Sequence, residues 1–290
     1  VRHNPYTEWY ENSLNIDGTG TQQFHRDTYG ADFPYTGFQP LFEEQSQSFR
    51  ADDWADLFAT ARARYLVFVT KHHDGYTLWP SSVANPNRPG WSSPRDFVGE
   101  VADAVRARCM RLGVYYSGGI DWTFKAPPIA SLLDFISTSP EGPTYARYVE
   151  DQYRELIARY RPSVLWNDIT SPPLTDEPAL FADYYAAVPD GVVNDRWGLD
   201  GTNPSDFRTF EYDVPTDISA DKWEAVRGIG RTFGYNVNET VEQYGTPEKY
   251  IRLLIDVVSK NGNLLLNVGP DARGTIPAPQ VAVLEALGAW

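Results

Sequence analysis

The sequence predicts an α/β protein with a TIM-like (β/α) barrel. Amphipathic helical segments alternate repeatedly with short apolar runs, which is typical of parallel strands joined by helices. Each apolar run stops at polar or charged residues, so we expect the strands to deliver these groups to one functional rim. No Gly-x-Gly-x-x-Gly motif follows a strand, which favours a closed barrel over an open dinucleotide-binding sheet.

Length and composition predict one large domain without a membrane span. The 290 residues suffice for a substantial core, and no linker or internal repeat divides them, so residues 1–290 are expected to form a single barrel domain. The chain is 42% hydrophobic but has no apolar run of about 18 residues. Its net charge of −14 argues against a nucleic-acid or anionic-membrane partner. The oligomeric state is left open.

The stretch from Tyr65 to Gly75 shows the pattern most clearly. A β-branched apolar run ends at His72, His73 and Asp74, as expected of a buried parallel strand. Adjacent histidines in a strand point to opposite faces, so one is expected to face a ligand while the other braces it. A solvated loop at a strand end is the alternative. Only two further histidines exist, which makes a zinc site a poor interpretation.

Periodicity predicts the other elements in order. Residues 1–48 are expected to be mostly loop with short helical pieces, and a helix begins at Asp52. Ser93 is predicted to cap a helix that runs to Leu112, with the single Cys109 in its core-facing stripe. Later helices and strands alternate, and their predicted ranges are strand 114–117, helix 145–160, strand 163–168, helix 180–187, strand 191–197, helix 246–258 and strand 264–269.

Several motifs resemble the family 29 glycoside hydrolases, the retaining α-L-fucosidases. Lys71–Gly75 with Trp79-Pro80-Ser81 is similar to the family's strand-end signature. Trp54–Phe58 and Ala61–Tyr65 resemble the preceding helix and turn. The resemblance covers nearly the whole chain and implies hydrolysis of terminal α-L-fucosides from fucosylated glycans, with neither a metal nor another cofactor. It also favours a secreted, periplasmic or lysosome-like compartment.

Asp168 is the predicted nucleophile. Cleavage with retention needs two carboxyl groups roughly 5–5.5 Å apart, and Asp168 closes the apolar strand Val164–Asn167. It also matches the family's Leu-Trp-x-Asp motif, which implies that it carries the covalent fucosyl group. Trp166 shares its side of the strand and should line the same pocket. The alternative is a strand-end aspartate that caps the next turn.

The acid/base residue is left open among three glutamates by position alone: Glu211, Glu224 and Glu239. The run Phe-Glu-Tyr-Asp-Val-Pro around Glu211 resembles the acid/base segment of several family members. The resemblance therefore favours Glu211, with Glu224 as runner-up and Glu239 third. A surface salt bridge is the alternative for each of them.

The resemblance also implies which residues contact the sugar. They are a carboxylate, aromatic side chains, two histidines and an arginine, namely Glu8, Trp9, His72, His73, Tyr115, Trp166 and Arg196, with Tyr116 ranked behind Tyr115. Tyr6, Phe233 and Tyr235 are candidates for an apolar pocket around the fucose methyl group. For Tyr6, Glu8 and Trp9 a packed surface aromatic cluster is the alternative, and an ordinary buried strand explains Phe233 and Tyr235 nearly as well.

The chain departs from the family pattern at both ends. The family's first strand, with a His-Trp-Gly motif, would precede Val1, and a C-terminal β-sandwich would follow Trp290. We therefore expect an incomplete barrel. An inactive or truncated fucose-binding relative, and a same-fold hydrolase for a related sugar such as α-L-galactoside, remain as alternatives to an active fucosidase.

Overall fold

A computed structural model describes residues 7–131, 133–134, 137–198 and 203–290. In chain order the helices are α1 (Tyr10–Leu14), α2 (Gly20–Tyr29), α3 (Phe38–Gln45), α4 (Ala51–Thr60), α5 (Phe97–Ala107), α6 (Pro143–Tyr160), α7 (Glu177–Ala187), α8 (Pro247–Ser259) and α9 (Ala278–Ala289). The strands are β1 (Tyr65–Lys71), β2 (Arg111–Ser117), β3 (Val164–Asp168), β4 (Val192–Val193), β5 (Arg208–Glu211), β6 (Trp223–Gly228) and β7 (Gly262–Asn267).

The chain divides into two compact units, and each contains one sheet. One unit is Ala63–Arg208, and the other combines Val1–Arg62 with Thr209–Trp290. The strand orders are β1-β2-β3-β4 in the first unit and β5-β6-β7 in the second. The expectation that residues 1–290 form a single domain stays a prediction.

The sheet of Ala63–Arg208 is parallel throughout, because helical segments return the chain to the same end before each new strand. Val69 pairs with Tyr115, Tyr115 pairs with Trp166, and Ser117 pairs with Asp168. This register brings the carboxyl ends of β1, β2 and β3 to one edge of the sheet.

Helices cover this sheet and create its core. Every residue of β3 is buried, as expected for a strand with both faces covered. The buried stripe of α5 includes Val98, Val101 and Val105, and that helix contacts β1 and β2. In α6, Tyr153 and Leu156 are fully buried. The strand-end residues are therefore held on a close-packed base.

The second unit has a smaller sheet with its own core. β6 and β7 run parallel, from Trp223 beside Gly262 to Gly228 beside Asn267. Trp223, Ala225 and Val257 form a buried cluster, so α8 packs on this sheet through Val257. The Thr246 hydroxyl caps α8 by accepting a hydrogen bond from the Lys249 amide at 3.3 Å.

The prediction for the helix after Ser93 was wrong at both ends. Asp96, and not Ser93, caps α5, since its carboxylate accepts from the Gly99 amide at 2.9 Å. The helix ends at Ala107, and Cys109 is exposed with a φ of +59° instead of lying in the core. The apolar spacing continues past the helix because Leu112 belongs to β2. The prediction from periodicity therefore treated the helix and the start of β2 as one helix.

Two other segments differ from expectation. The N-terminal stretch contains α1, α2 and α3, although it lacks an apolar repeat, because an aromatic cluster around His25 packs these helices together. The strand predicted over residues 191–197 is reduced to Val192–Val193.

Across the described part of the chain, the helices are too short or too polar to cross a membrane.

Replacement of Leu165 tests the packing of β3. Its side chain is fully buried, so Leu165→Ala should lower the free energy of unfolding by about 2–5 kcal/mol through lost burial and a residual cavity. Leu174 is 59% exposed, and Leu174→Ala is the matched control, with a change within about 0.5 kcal/mol. Equal losses in urea unfolding would contradict the buried position of β3.

Candidate active site

Asp168 lies at the end of β3 with a hydrogen-bond donor on each carboxylate oxygen. Arg196 Nη1 is 2.9 Å from Oδ1, and the Tyr115 hydroxyl donates to Oδ2 at 2.7 Å. Charge-assisted hydrogen bonds of this kind are the stronger ones in proteins. They stabilise the negative charge and fix the orientation of a buried carboxylate.

Aromatic rings line up beside this carboxylate. The Tyr115 ring stacks on Trp166 at 5.5 Å and on His72 at 5.8 Å between centroids. The Arg196 guanidinium lies 4.7 Å from the centre of the Trp166 ring. Arg196 is thus oriented by an aromatic face as well as by Asp168.

The two histidines follow the last residue of β1. Since they lie outside the strand, the alternation predicted for them does not apply, and their rings are 3.9 Å apart. His73 is buried, whereas His72 is partly exposed. Burial lowers the pKa of His72 to about 4, although the Asp168 charge opposes the change. Burial also lowers the pKa of His73, helped by the neighbouring His72 and Lys71.

A fully buried ion pair lies beside the histidines, because Lys71 directly precedes His72 in the chain. Lys71 Nζ is 2.8 Å from Asp121 Oδ2, and neither side chain is exposed. The ammonium also lies 4.5 Å from the centre of the Tyr116 ring. At Gly75, which has a φ of +76°, a Cβ would lie 2.6 Å from Asp121 Oδ1. This close approach explains the glycine that ends the His72-His73-Asp74 motif.

The buried Asn167 connects β3 to the segment that carries Arg196. Its amide nitrogen donates to the backbone oxygens of Thr170 at 2.8 Å and Arg196 at 2.9 Å. Its oxygen accepts from the Tyr153 hydroxyl at 2.6 Å. Asn167 and Asp121 were not predicted as supporting residues. Asn167 lies near the end of β3, whereas Asp121 lies beyond the end of β2 at Ser117.

The sugar-contact candidates at the N-terminus lie in the second unit. Glu8 Oε2 accepts from the Gly234 amide at 3.2 Å and from the Thr7 hydroxyl at 3.3 Å. Burial raises the pKa of Glu8, opposed by backbone hydrogen bonds. Trp9 is partly buried, and Tyr6 lies outside the described residues.

Phe233 and Tyr235 belong to the same unit as Glu8. Phe233 packs against Tyr212 with 5.5 Å between ring centroids, while Tyr235 is 41% exposed. Tyr212 was not singled out from the sequence, although it follows Glu211 directly and has a φ of +55°. Tyr116, ranked behind Tyr115, turns away from Asp168 and donates to Gln152 at 2.6 Å.

The three acid/base candidates also lie in the second unit, in different environments. Glu211 ends β5 and is exposed. Glu224 is buried in β6 and accepts from the Asn263 amide at 3.1 Å. Glu239 accepts hydrogen bonds from the backbone amides of Arg231 and Thr232, so it stabilises a loop.

The described residues contain no group of His, Cys, Asp and Glu side chains suited to a metal ion.

A strand-end carboxylate that is held in place by an arginine and a tyrosine agrees with the carboxylate chemistry of glycoside hydrolases. The chain belongs to the alpha-L-fucosidase family, whose model matches residues 1–290. It is 32% identical to an alpha-L-fucosidase of Dictyostelium discoideum, over 98% of this chain and 63% of that protein. The chain thus spans about three fifths of the length of the curated relatives it matches.

Solved structures show the same likeness. One, described as an alpha-L-fucosidase, is 46% identical with a TM-score of 0.93, covering 99% of this chain and 65% of that one. The Thermotoga maritima alpha-fucosidase in complex with fucose is 44% identical with a TM-score of 0.89, covering 99% and 66%. The predicted TIM-like α/β fold class is confirmed, while the expectation of an incomplete barrel stays a prediction.

Removal of one partner from the buried ion pair should be strongly destabilising. Asp121→Asn leaves the Lys71 ammonium uncompensated, so we expect a loss of about 3–5 kcal/mol in the free energy of unfolding. The control is Asp190→Asn, because Arg111 and Asp190 form an exposed pair that contributes about 0–1 kcal/mol. Similar losses in chemical denaturation would contradict the buried pair.

Proposed function

We propose that the chain hydrolyses terminal α-L-fucosides with retention, through a covalent fucosyl group on Asp168. The observation that carries this proposal is the Asp168 carboxylate, fixed by Arg196 at 2.9 Å and Tyr115 at 2.7 Å at a strand end. Family membership supports it, since the matched relatives are named alpha-L-fucosidases. The substrate class is a fucosylated glycan, and one similar solved protein is in complex with fucose.

The first chemical step forms a bond between an Asp168 oxygen and the anomeric carbon as the glycosidic bond breaks. The leaving oxygen takes a proton from a carboxylic acid. In the second step, water gives its proton to that carboxylate and attacks the same carbon, which releases Asp168. Two inversions give retention. Arg196 and Tyr115 support both steps because they orient the carboxylate and stabilise its charge when it leaves.

The neutral histidines suit recognition of a neutral sugar. The pKa of His72 is about 4, so its ring stays uncharged near pH 7 and hydrogen-bonds hydroxyl groups without placing a cation in the pocket. Trp166 and Tyr115 offer aromatic faces to the C–H face of a sugar ring. These groups bind and position the substrate, while Asp168 carries out the chemistry.

We assign the acid/base role to Glu211. A general acid has to reach the leaving oxygen and exchange protons with water, which suits an exposed side chain at the end of β5. Glu224 is buried on its strand, and the Glu239 carboxylate is occupied by the amides of its own loop. Both are therefore better suited to structural roles.

Asp168→Gly tests the nucleophile. It should lower kcat for an aryl α-L-fucoside by at least about 10³-fold, because the covalent route is lost. Azide should restore part of the rate by occupying the vacated space and forming a fucosyl azide. Asp190→Gly is the matched control, since Asp190 is an exposed aspartate in the same unit, and its rate should be unchanged.

Three outcomes of these assays would alter the proposal. Substantial turnover by Asp168→Gly would refute the nucleophile. Fucose binding without turnover by the unaltered chain would indicate a binding protein. A faster reaction with the aryl α-L-galactoside, which differs from the fucoside only at C6, would keep the chemistry and change the sugar.

Leaving-group dependence tests the acid/base assignment. Glu211→Ala should lower kcat/KM for an alkyl fucoside by about 10²-fold or more, because its leaving oxygen needs a proton. A fucoside with a good aryl leaving group should be affected much less. Glu224→Ala and Glu239→Ala serve as matched controls. Each should change kcat/KM by the same factor for both substrates. A leaving-group effect in either control, and not in Glu211→Ala, would reassign the role.

A further inference from the structure

Asn194 lies directly after β4, and its side chain is fully buried. Its side-chain oxygen accepts a hydrogen bond from the Asn167 amide at 3.1 Å, and its side-chain nitrogen donates to the Asn167 backbone oxygen at 2.9 Å. A neighbouring parallel strand would pair with Asn167 through these same two backbone groups. One side chain therefore takes the place of strand backbone at the residue before Asp168.

The ladder between β3 and β4 shows which backbone group is replaced. The amides of Val192 and Asn194 donate to the oxygens of Ser163 and Leu165 at 3.0 and 3.4 Å. In a regular parallel ladder, the amide two residues further on would donate to the Asn167 oxygen. The Asn194 side chain supplies this donor instead, so the main chain can leave the ladder after β4.

The chain that follows Asn194 is held by the other asparagine. The Asn167 side-chain nitrogen donates to the Arg196 backbone oxygen at 2.9 Å, which also accepts from the Thr170 amide at 3.1 Å. Each asparagine thus bonds the backbone of the other segment through its side-chain amide. The orientation of the Asn194 amide is unambiguous, because a backbone amide only donates and a backbone oxygen only accepts.

We propose that Asn194 is a positioning residue, whose side chain ends the ladder at Asn167 so that the main chain can turn and place Arg196 on Asp168. Arg196 Nη1 is 2.9 Å from the Asp168 carboxylate, and Asn167 directly precedes Asp168. An aliphatic side chain at position 194 would leave a buried amide and a buried carbonyl of Asn167 without this partner. Both the nucleophile and its arginine would then be less firmly held.

Hydrogen exchange of the Asn167 amide, followed by ¹⁵N NMR, tests this arrangement without any substrate. Asn194→Ala should speed exchange at Asn167 by at least about tenfold more than at Val192, whose amide donates to Ser163 within the ladder. Equal acceleration of both amides would indicate general destabilisation and would overturn the proposal. Asn85→Ala is the matched control, because Asn85 is also buried and its amide donates to Thr123 at 2.7 Å; it should leave Asn167 exchange unchanged.

A measurement on the unaltered protein covers the case in which Asn194→Ala does not fold. The side-chain amide hydrogens of Asn194 should be strongly protected from exchange, because the group is buried and bonded to backbone on β3. Rapid exchange of these hydrogens would overturn the proposal.

The kinetic consequence rests on the proposed function. Asn194→Ala should lower kcat for the aryl fucoside by about tenfold or more, because the carboxylate is less well oriented. In the Asp168→Gly background with azide, the same substitution should change the rate by less than about twofold, since the carboxylate that it helps to orient is gone. A role in packing alone would lower both rates by the same factor, and that result would contradict positioning.

The exchange and kinetic measurements separate failure of this inference from failure of the proposed function. If Asn194→Ala speeds exchange at Asn167 as expected but the unaltered chain turns over no fucoside, the placement of Arg196 by Asn194 stands and the proposed function fails. If the chain is active and Asn167 exchange does not respond to Asn194→Ala, the proposed function stands and this inference fails.

Discussion

Parallel pairing of β1, β2 and β3 is the constraint on which the candidate site depends. The register places Ser117 beside Asp168 and Tyr115 beside Trp166, so residues distant in sequence meet without any long loop. A shift of one residue would turn each of these side chains to the opposite face. The buried core of β3 and the covering helices hold this register, which is why a carboxylate can be fixed by two hydrogen bonds at a single edge.

Much of the fold could be predicted from apolar runs and caps. β3 was expected over 163–168 and is found at Val164–Asp168, and α8 was expected over 246–258 and is found at Pro247–Ser259. The predicted element boundary was wrong near Cys109, because the apolar spacing of the helix continues into the next strand. The N-terminal helices were not predicted for a different reason. Aromatic contacts between segments stabilise them, and the sequence there shows no apolar repeat with a helical period.

The site was predictable where it lies at strand ends and not where it depends on contacts behind them. Asp168 and His72 follow apolar runs directly, and the family resemblance assigned them roles. Asp121 and Asn167 become visible only when the strands are placed side by side, since their partners are distant along the chain. These buried groups fix the ion pair and the Arg196 segment, so they determine how rigid the site is.

The proposed mechanism requires that Asp168 becomes covalently fucosylated. The direct measurement is labelling with an activated 2-deoxy-2-fluoro-fucoside, whose fluorine slows release of the intermediate, followed by proteolysis and peptide mass spectrometry. We expect a single fluorofucosyl group on the peptide of β3, attached to Asp168 and absent after Asp168→Gly. Label on another carboxylate, or catalysis with retention and no label on Asp168, would contradict it.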